Sequence, residues 1–368
     1  MIVQQLRSLF WRRKTPKRIP IAGDQLPENV FSFLQAVHKA EIHLHFEGAT
    51  TADTIYHLAQ KYQEPSVRTR ADAEWCLYFA YPRQFFEQFL FVSGLFREIE
   101  DFYRAAVDLG KRFEQEKIRY AEITFAPHKF MMAGLSYPEL IEAIATGVCE
   151  GAGEAFDVGL VIDIVRDLGP EAGWRVVREI EAHPHEKVVG IGLGGGENYP
   201  ASASQEIFAY AKSLGLRKTA HAGEGLGPES IWQTMRALQV ERLDHGVRAQ
   251  EDPALVDYLT AQRMPFNLCL TSNVMLGVVS EPEAHPLRRY HERGIPVNVS
   301  TDDPAFFRTS LTEEYAKLLV YQGFTPKALL GLIDNALAAS FLPEETKTAL
   351  TRDIRLENER LLSLYDIA

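Results

Sequence analysis

A short apolar or β-branched segment followed by a longer stretch of helical periodicity recurs eight times along this chain, and this alternation constrains the fold more than any other feature. The candidate strands are residues 40–48, 119–127, 159–166, 188–195, 218–224, 242–247, 265–273 and 296–304. Helix-like stretches such as 137–151, 173–182, 203–214, 228–238 and 254–262 lie between them. Connections of that length are what parallel pairing requires. Eight strand–helix units predict an α/β fold of the TIM (β/α)8 barrel type rather than an open sheet. The first crossover, roughly Thr51 to Lys117, is longer than one helix needs. It predicts a helical insertion after the first strand, on the face where barrel active sites form and where a lid would sit. The tail after Glu313 reads as helices packed outside the barrel.

The charge balance narrows the partners. A formal net charge of −11 does not attract polyanions, so neither nucleic acid nor stable membrane association is expected. A small neutral or cationic substrate fits better. Hydrophobic residues at 46% and charged residues at 24% are proportions that fill a large soluble core. Cys76, Cys149 and Cys269 form no C-x-x-C pair, which excludes a thiolate zinc site and leaves them as small buried hydrophobes. No apolar run reaches the roughly 18 to 20 residues that span a bilayer, and a cytoplasmic enzyme is expected. Met1 to Gly23 contains no acid but carries Arg7, Arg12, Arg13, Lys14, Lys17 and Arg18. Residues 1–25 are therefore read as a basic extension, and 26–368 as the barrel domain.

Polar residues gather at the predicted strand ends. His43 and His45 end the first strand, His221 and Glu224 the fifth, His245 the sixth, and Asp302 and Asp303 the eighth. In a barrel these ends share one rim, so residues remote in sequence would surround one point. Side chains two apart on a strand share a face, so both imidazoles of His43-Leu44-His45 can address one ion while Leu44 points into the helix layer. Imidazole and carboxylate donors without thiolate suit zinc, with iron, cobalt and nickel as chemical alternatives. The adjacent carboxylates of Asp302 and Asp303 repel, and something positive or a shared proton must offset them.

The segments AEIHLHFEG, VVGIGLGGGE, HAGEG, RLDHG, LTSN and STDDP, in that order, resemble the adenosine deaminase family from the first strand to the last. The resemblance implies a TIM barrel, one zinc ion per chain, and hydrolytic loss of ammonia from the 6-position of a purine. It implies that His43, His45, His221 and Asp302 hold the zinc, which lowers the pKa of a bound water from about 15.7 towards about 7. His245 would orient the attacking oxygen, and Glu224 would protonate purine N1. Asp303 would hold N7, and the Gly195 N–H would bond N3. The family places a helix over the substrate, which makes Phe85, Phe86 and Phe89, read as one helix face, the candidate cover.

Some positions depart from the family pattern. Glu47 stands where adenosine-specific members carry Asp for a ribose hydroxyl, Ala126 where some have Ser, and Asp244 where glycine is more usual. Glu47 and Asp244 are similar to adenine deaminases, whereas Gly194–Gly196 and Cys269–Asn273 resemble the nucleoside branch. Adenosine or deoxyadenosine is the expected substrate. Adenine, and modified nucleosides such as 6-aminodeoxyfutalosine or methylated adenosine phosphates, are the alternatives. An inactive purine-binding relative would have lost a ligand or Glu224, and all are present. A binuclear barrel hydrolase would need a bridging Lys or Glu near the fourth strand, where only Gly-Ile-Gly-Leu-Gly-Gly stands.

Overall fold

The computed structural model describes residues 19–367, so most of the basic extension lies outside the described residues. Its described end packs on the barrel domain, where the Ala22 and Gly23 amides donate to the Glu313 carboxylate. Eight parallel strands pair in sequence order: β1 (Lys39–His45), β2 (Ile118–Phe125), β3 (Asp157–Val165), β4 (Val188–Gly194), β5 (Arg217–Ala222), β6 (Arg242–His245), β7 (Phe266–Leu268) and β8 (Val297–Val299). A parallel bridge between Leu44 and Asp302 closes the ring. In it the Asp302 N–H donates to the His43 carbonyl at 3.2 Å, and the His45 N–H to the Asp302 carbonyl at 2.8 Å. The expected TIM barrel is present, and the backbone ladder that closes it also brings three site residues together.

The insertion after β1 is helical, with helices Ala52–Lys61, Arg70–Trp75, Pro82–Ser93 and Ile99–Gln115. The last of these packs on Tyr137–Ala152 at close range. A Cβ on Gly110 would meet the Val148 carbonyl at 2.2 Å, and one on Gly151 the Val107 carbonyl at 2.2 Å. At the opposite end of the barrel, the buried Arg242 guanidinium stacks 3.8 Å over Phe341, pairs with Glu122 and donates to the Ala339 carbonyl. That plug anchors the floor, which leaves the other rim free for chemistry. Cys76 and Cys269 are buried and Cys149 is partly buried, all three as free thiols. Among the described residues no helix is long and apolar enough to cross a membrane.

Two strands are much shorter than the sequence pattern suggests, the others differing by a few residues at their ends. The segment 265–273 is a strand only to Leu268 and becomes helix Leu270–Met275. A buried carboxylate explains the switch. Glu314 accepts the Thr271 N–H at 3.1 Å and its hydroxyl as well, satisfying the helix start with an acid from 43 residues away. Glu314 is itself paired with the buried Lys317, 3.0 Å away. Likewise 296–304 is a strand only over Val297–Val299, because Asp302 takes a left-handed conformation (φ 65°) and Pro304 starts a short helix.

Candidate active site

The ends of β1, β5, β6 and β8 bring His43, His45, His221, His245 and Asp302 to one point. The Nε2 atoms of His43 and His45 lie 3.4 and 3.3 Å from Asp302 Oδ1, and the Nε2 atoms of His45 and His221 lie 3.3 Å apart. A tetrahedral zinc with bonds of about 2.0–2.1 Å separates its ligand atoms by about 3.3–3.4 Å. The three separations are of the size that ligand atoms sharing one ion require. His43 Nε2 is buried, and Asp302 Oδ1 at 3.4 Å is the polar atom it faces, too long for a good hydrogen bond and suited to two ligands of one cation. His43, His221, His245 and Asp302 also offer atoms within 4.8 Å of one another. His245 is nevertheless the poorer ligand: its Nε2 is 4.0 Å from Asp302 Oδ2, and that oxygen already accepts the Ser272 hydroxyl at 2.6 Å. The residues present therefore fit a zinc ion, with His43, His45, His221 and Asp302 as the candidate ligands.

The surroundings set the ligand charges. Burial opposes ionisation of Asp302, but the facing His43 and His45 imidazoles outweigh it and hold its carboxyl well below the usual range. Burial, together with His43, pushes His221 well below its ordinary value, so it stays neutral. Against burial, Asp244 and Asp302 hold His43 well above its ordinary value, and Asp302 and Asp303 raise His45 to about 9, so metal binding, which takes neutral imidazole and ionised carboxylate, would displace protons from these two rings. The far nitrogens are anchored too. His221 Nδ1 is 3.2 Å from the Leu193 carbonyl, and His43 Nδ1 is 3.0 Å from Asp244 Oδ1. Asp244 also accepts from Thr219 Oγ1 and Asn267 Nδ2, both at 2.7 Å. It lies behind the ligands, where sequence reasoning had read it only as a mark of substrate branch.

Two carboxyls of raised pKa flank the cluster. Burial raises the pKa of Glu224, with Asp302 and Glu197 adding to it and His245 opposing; the side chain is 22% exposed. Burial, then Asp302, holds Asp303 well above the usual carboxyl range, and its Oδ1 is buried without a partner. Gly48 is glycine because a Cβ there would fall 1.7 Å from Asp303 Oδ1. His245, with φ 67°, sits in the left-handed region, a strained backbone that aims its ring at the cluster. Its Nδ1 is 3.6 Å from Glu224 Oε1.

Glu47 is buried after β1. Burial raises its pKa, whereas the Lys129 cation and the amide N–H of Ala126 draw it down. Gly195 has φ 87°, and a Cβ there would meet Asp167 Oδ1 at 2.8 Å. The glycine run does not leave open space throughout, because Asp163 fills the room beside Gly192 and Gly194. Phe85, Phe86 and Phe89 do not share one face. Phe85 is buried against Phe79, Phe306 and Phe307, Phe89 contacts Phe306, and Phe86 is 57% exposed. One residue along a helix turns about 100°, so i and i+1 diverge.

Glu197 escaped the sequence reading although it ends the VVGIGLGGGE segment. Its carboxylate accepts the backbone N–H groups of Gly223, Glu224 and Gly225 at 2.8, 2.9 and 2.6 Å, and the Ser230 hydroxyl. It ties the loop that carries Glu224 to the loop that carries Gly195. Only the spacing of an acid after the glycine run could have hinted at it.

An eight-stranded barrel with a His/Asp cluster that could hold a metal ion, flanked on its rim by carboxyls of raised pKa, has the make-up of a metal-dependent hydrolase. The adenosine deaminase family model matches residues 38–356, and the chain belongs to that family of purine deaminases, hydrolases of C–N bonds. It is 30% identical to an aminodeoxyfutalosine deaminase of Streptomyces avermitilis over 90% of this chain and 94% of the relative. It is 31% identical to an adenine deaminase of Wolinella succinogenes over 84% and 94% of the two chains. Its fold matches a zinc-bound amidohydrolase of Burkholderia ambifaria with TM-score 0.85 and 25% identity, covering 93% and 96%.

Proposed function

We propose that the protein hydrolytically deaminates a 6-aminopurine nucleoside, converting adenosine or deoxyadenosine to inosine or deoxyinosine and ammonia. One zinc per chain, held by His43, His45, His221 and Asp302, would supply a water acidic enough to act as nucleophile near neutral pH. Glu224 gives its proton to purine N1, so that C6 accepts the incoming oxygen and becomes tetrahedral. Asp303 donates its proton to N7, and the Gly195 N–H bonds N3, which together fix the ring plane. His245 holds the attacking oxygen in line with C6. The single observation that carries this reading is the placement of two carboxyls, the largely buried Glu224 and the buried Asp303, beside the His/Asp cluster, where burial raises the pKa of both. Ring nitrogens need donors, and these are donors.

A second reading, free adenine as substrate, is favoured by Glu47, which is longer than aspartate and buried on the side assigned to ribose. Steady-state kinetics of the zinc-loaded protein on adenosine, deoxyadenosine, adenine and 6-aminodeoxyfutalosine separates them. The proposal expects the highest kcat/KM on adenosine or deoxyadenosine. Adenine turned over tenfold better would move the assignment to the free base, and no turnover of any of the four would remove it.

A further inference from the structure

We infer that His285, which touches neither the ligand cluster nor Glu224, sets the position of two protons in the active site by fixing the orientation of Asn273. The inference rests on the reading of Glu224 as the acid for N1.

His285 is buried between the short helical turn Pro282–Ala284 and helix Leu287–Glu292. The backbone N–H of Leu287 lies 3.2 Å from His285 Nδ1. A backbone N–H can only donate, so Nδ1 must be the unprotonated nitrogen. Burial first, then the nearby His245 and Arg289, pushes the ring pKa down to about 3, which leaves the imidazole neutral. Its one proton is therefore on Nε2, 3.1 Å from Asn273 Oδ1. With Oδ1 accepting from His285, the Asn273 amide group must turn its Nδ2 towards the active site. There Nδ2 lies 3.0 Å from Glu224 Oε1 and 3.2 Å from His245 Nδ1.

Two consequences follow at the reacting end. His245 Nδ1 accepts from Asn273, so the ring carries its proton on Nε2, which points at the cluster. Glu224 Oε1 also accepts, so the acidic proton is on Oε2, free for purine N1. A flipped Asn273 would present Oδ1 to both groups and draw their protons to Nδ1 and Oε1, away from the substrate. The flip would also set its NH2 group against the Nε2–H of His285, two donors facing each other. His285 and Asn273 are thus positioning residues.

The tautomer can be read in the wild-type protein by two-bond proton–nitrogen NMR correlation of the His285 ring. The Nε2–H form is expected, and an Nδ1–H form would overturn the inference whatever the substrate proves to be. The kinetic arm uses His285→Leu, His285→Gln, Asn273→Ala and the double variant His285→Leu/Asn273→Ala. His285→Leu should lower kcat per bound zinc roughly fivefold to thirtyfold, the factor of one misplaced hydrogen bond, with KM within about twofold. His285→Gln, which can still offer an N–H to Asn273, should recover most of the loss. In the Asn273→Ala background His285→Leu should change kcat by less than about twofold, since the two act as a unit. Unchanged kcat in His285→Leu, or full multiplication of the two losses in the double variant, would overturn the inference. Absence of any purine turnover in the wild type would instead remove the functional reading and leave the tautomer result standing.

Discussion

Asp244→Asn isolates one charge in the metal site. The Oδ1 of Asp244 accepts from His43 Nδ1 at 3.0 Å and from Asn267 Nδ2 at 2.7 Å, and Oδ2 accepts only from Thr219 Oγ1. An asparagine placed with its oxygen at the Oδ1 position keeps the first two bonds. The Thr219 hydroxyl can rotate to accept from the new NH2, because it already has the Arg242 carbonyl within 3.4 Å as an alternative acceptor. Shape and hydrogen bonds are retained and the negative charge is lost. The charge sits about 7 Å from the metal position, counting about 2 Å of metal–nitrogen bond, about 2 Å of imidazole and the 3.0 Å hydrogen bond. At an effective dielectric constant of about 20, attraction to a divalent cation there is at most about 5 kcal/mol. Relief from burying Asp244 offsets part of it. The net falls in the range seen for groups that orient metal ligands, about tenfold to a hundredfold in affinity, or about 1.4–2.7 kcal/mol. Competition against a chromophoric chelator should show zinc Kd rising by that factor. Activity at saturating zinc should stay within about threefold of wild type. Zinc affinity within twofold of wild type would refute the assignment of His43 as a ligand tuned by Asp244.

Glu224→Gln keeps the shape but cannot donate the N1 proton, so kcat should fall by about 10²–10⁴ with zinc content retained; a variant that loses metal yet turns over normally per zinc would make Glu224 structural. The protonated form is the active one and its pKa is raised, so the wild-type kcat/KM should fall as pH rises through that raised value, a limb that Glu224→Gln should lack. Glu47→Ala should lower kcat/KM on adenosine tenfold to a hundredfold if a charge-assisted bond to the sugar, about 1.5–3 kcal/mol, is removed. A gain on adenosine with a loss on adenine would show that Glu47 fills the sugar space. Glu197→Ala should speed amide hydrogen exchange at Gly223, Glu224 and Gly225 and lower kcat roughly tenfold, about one hydrogen bond's worth, with zinc retained; unchanged exchange would sink the clamp.

The barrel was legible because strand–helix alternation is a local property of the sequence. The convergence of His43, His221, His245 and Asp302 was legible for a derived reason: a barrel collects its strand ends on one rim. What the sequence hid depends on contacts between distant segments. The helix Leu270–Met275 forms where a strand pattern continues, because Glu314 and Lys317 meet Thr271 across the fold. Its turn then presents Ser272 to Asp302 and Asn273 to Glu224, which an extended chain could not do on consecutive residues. Asp244 sits next to His245 in sequence, yet it serves His43, because the barrel interior reverses the apparent neighbours. The residues proposed to perform chemistry therefore lie at or just beyond strand ends, where the sequence pattern points to them. Those that orient them, Asp244, Glu197, Asn273 and His285, are defined only once the loops are packed. Glu47 faces Lys129 and the backbone of Ala126, and the effect of one extra methylene on ribose depends on how that backbone is held. Relatives sharing the ligand set can consequently differ in substrate.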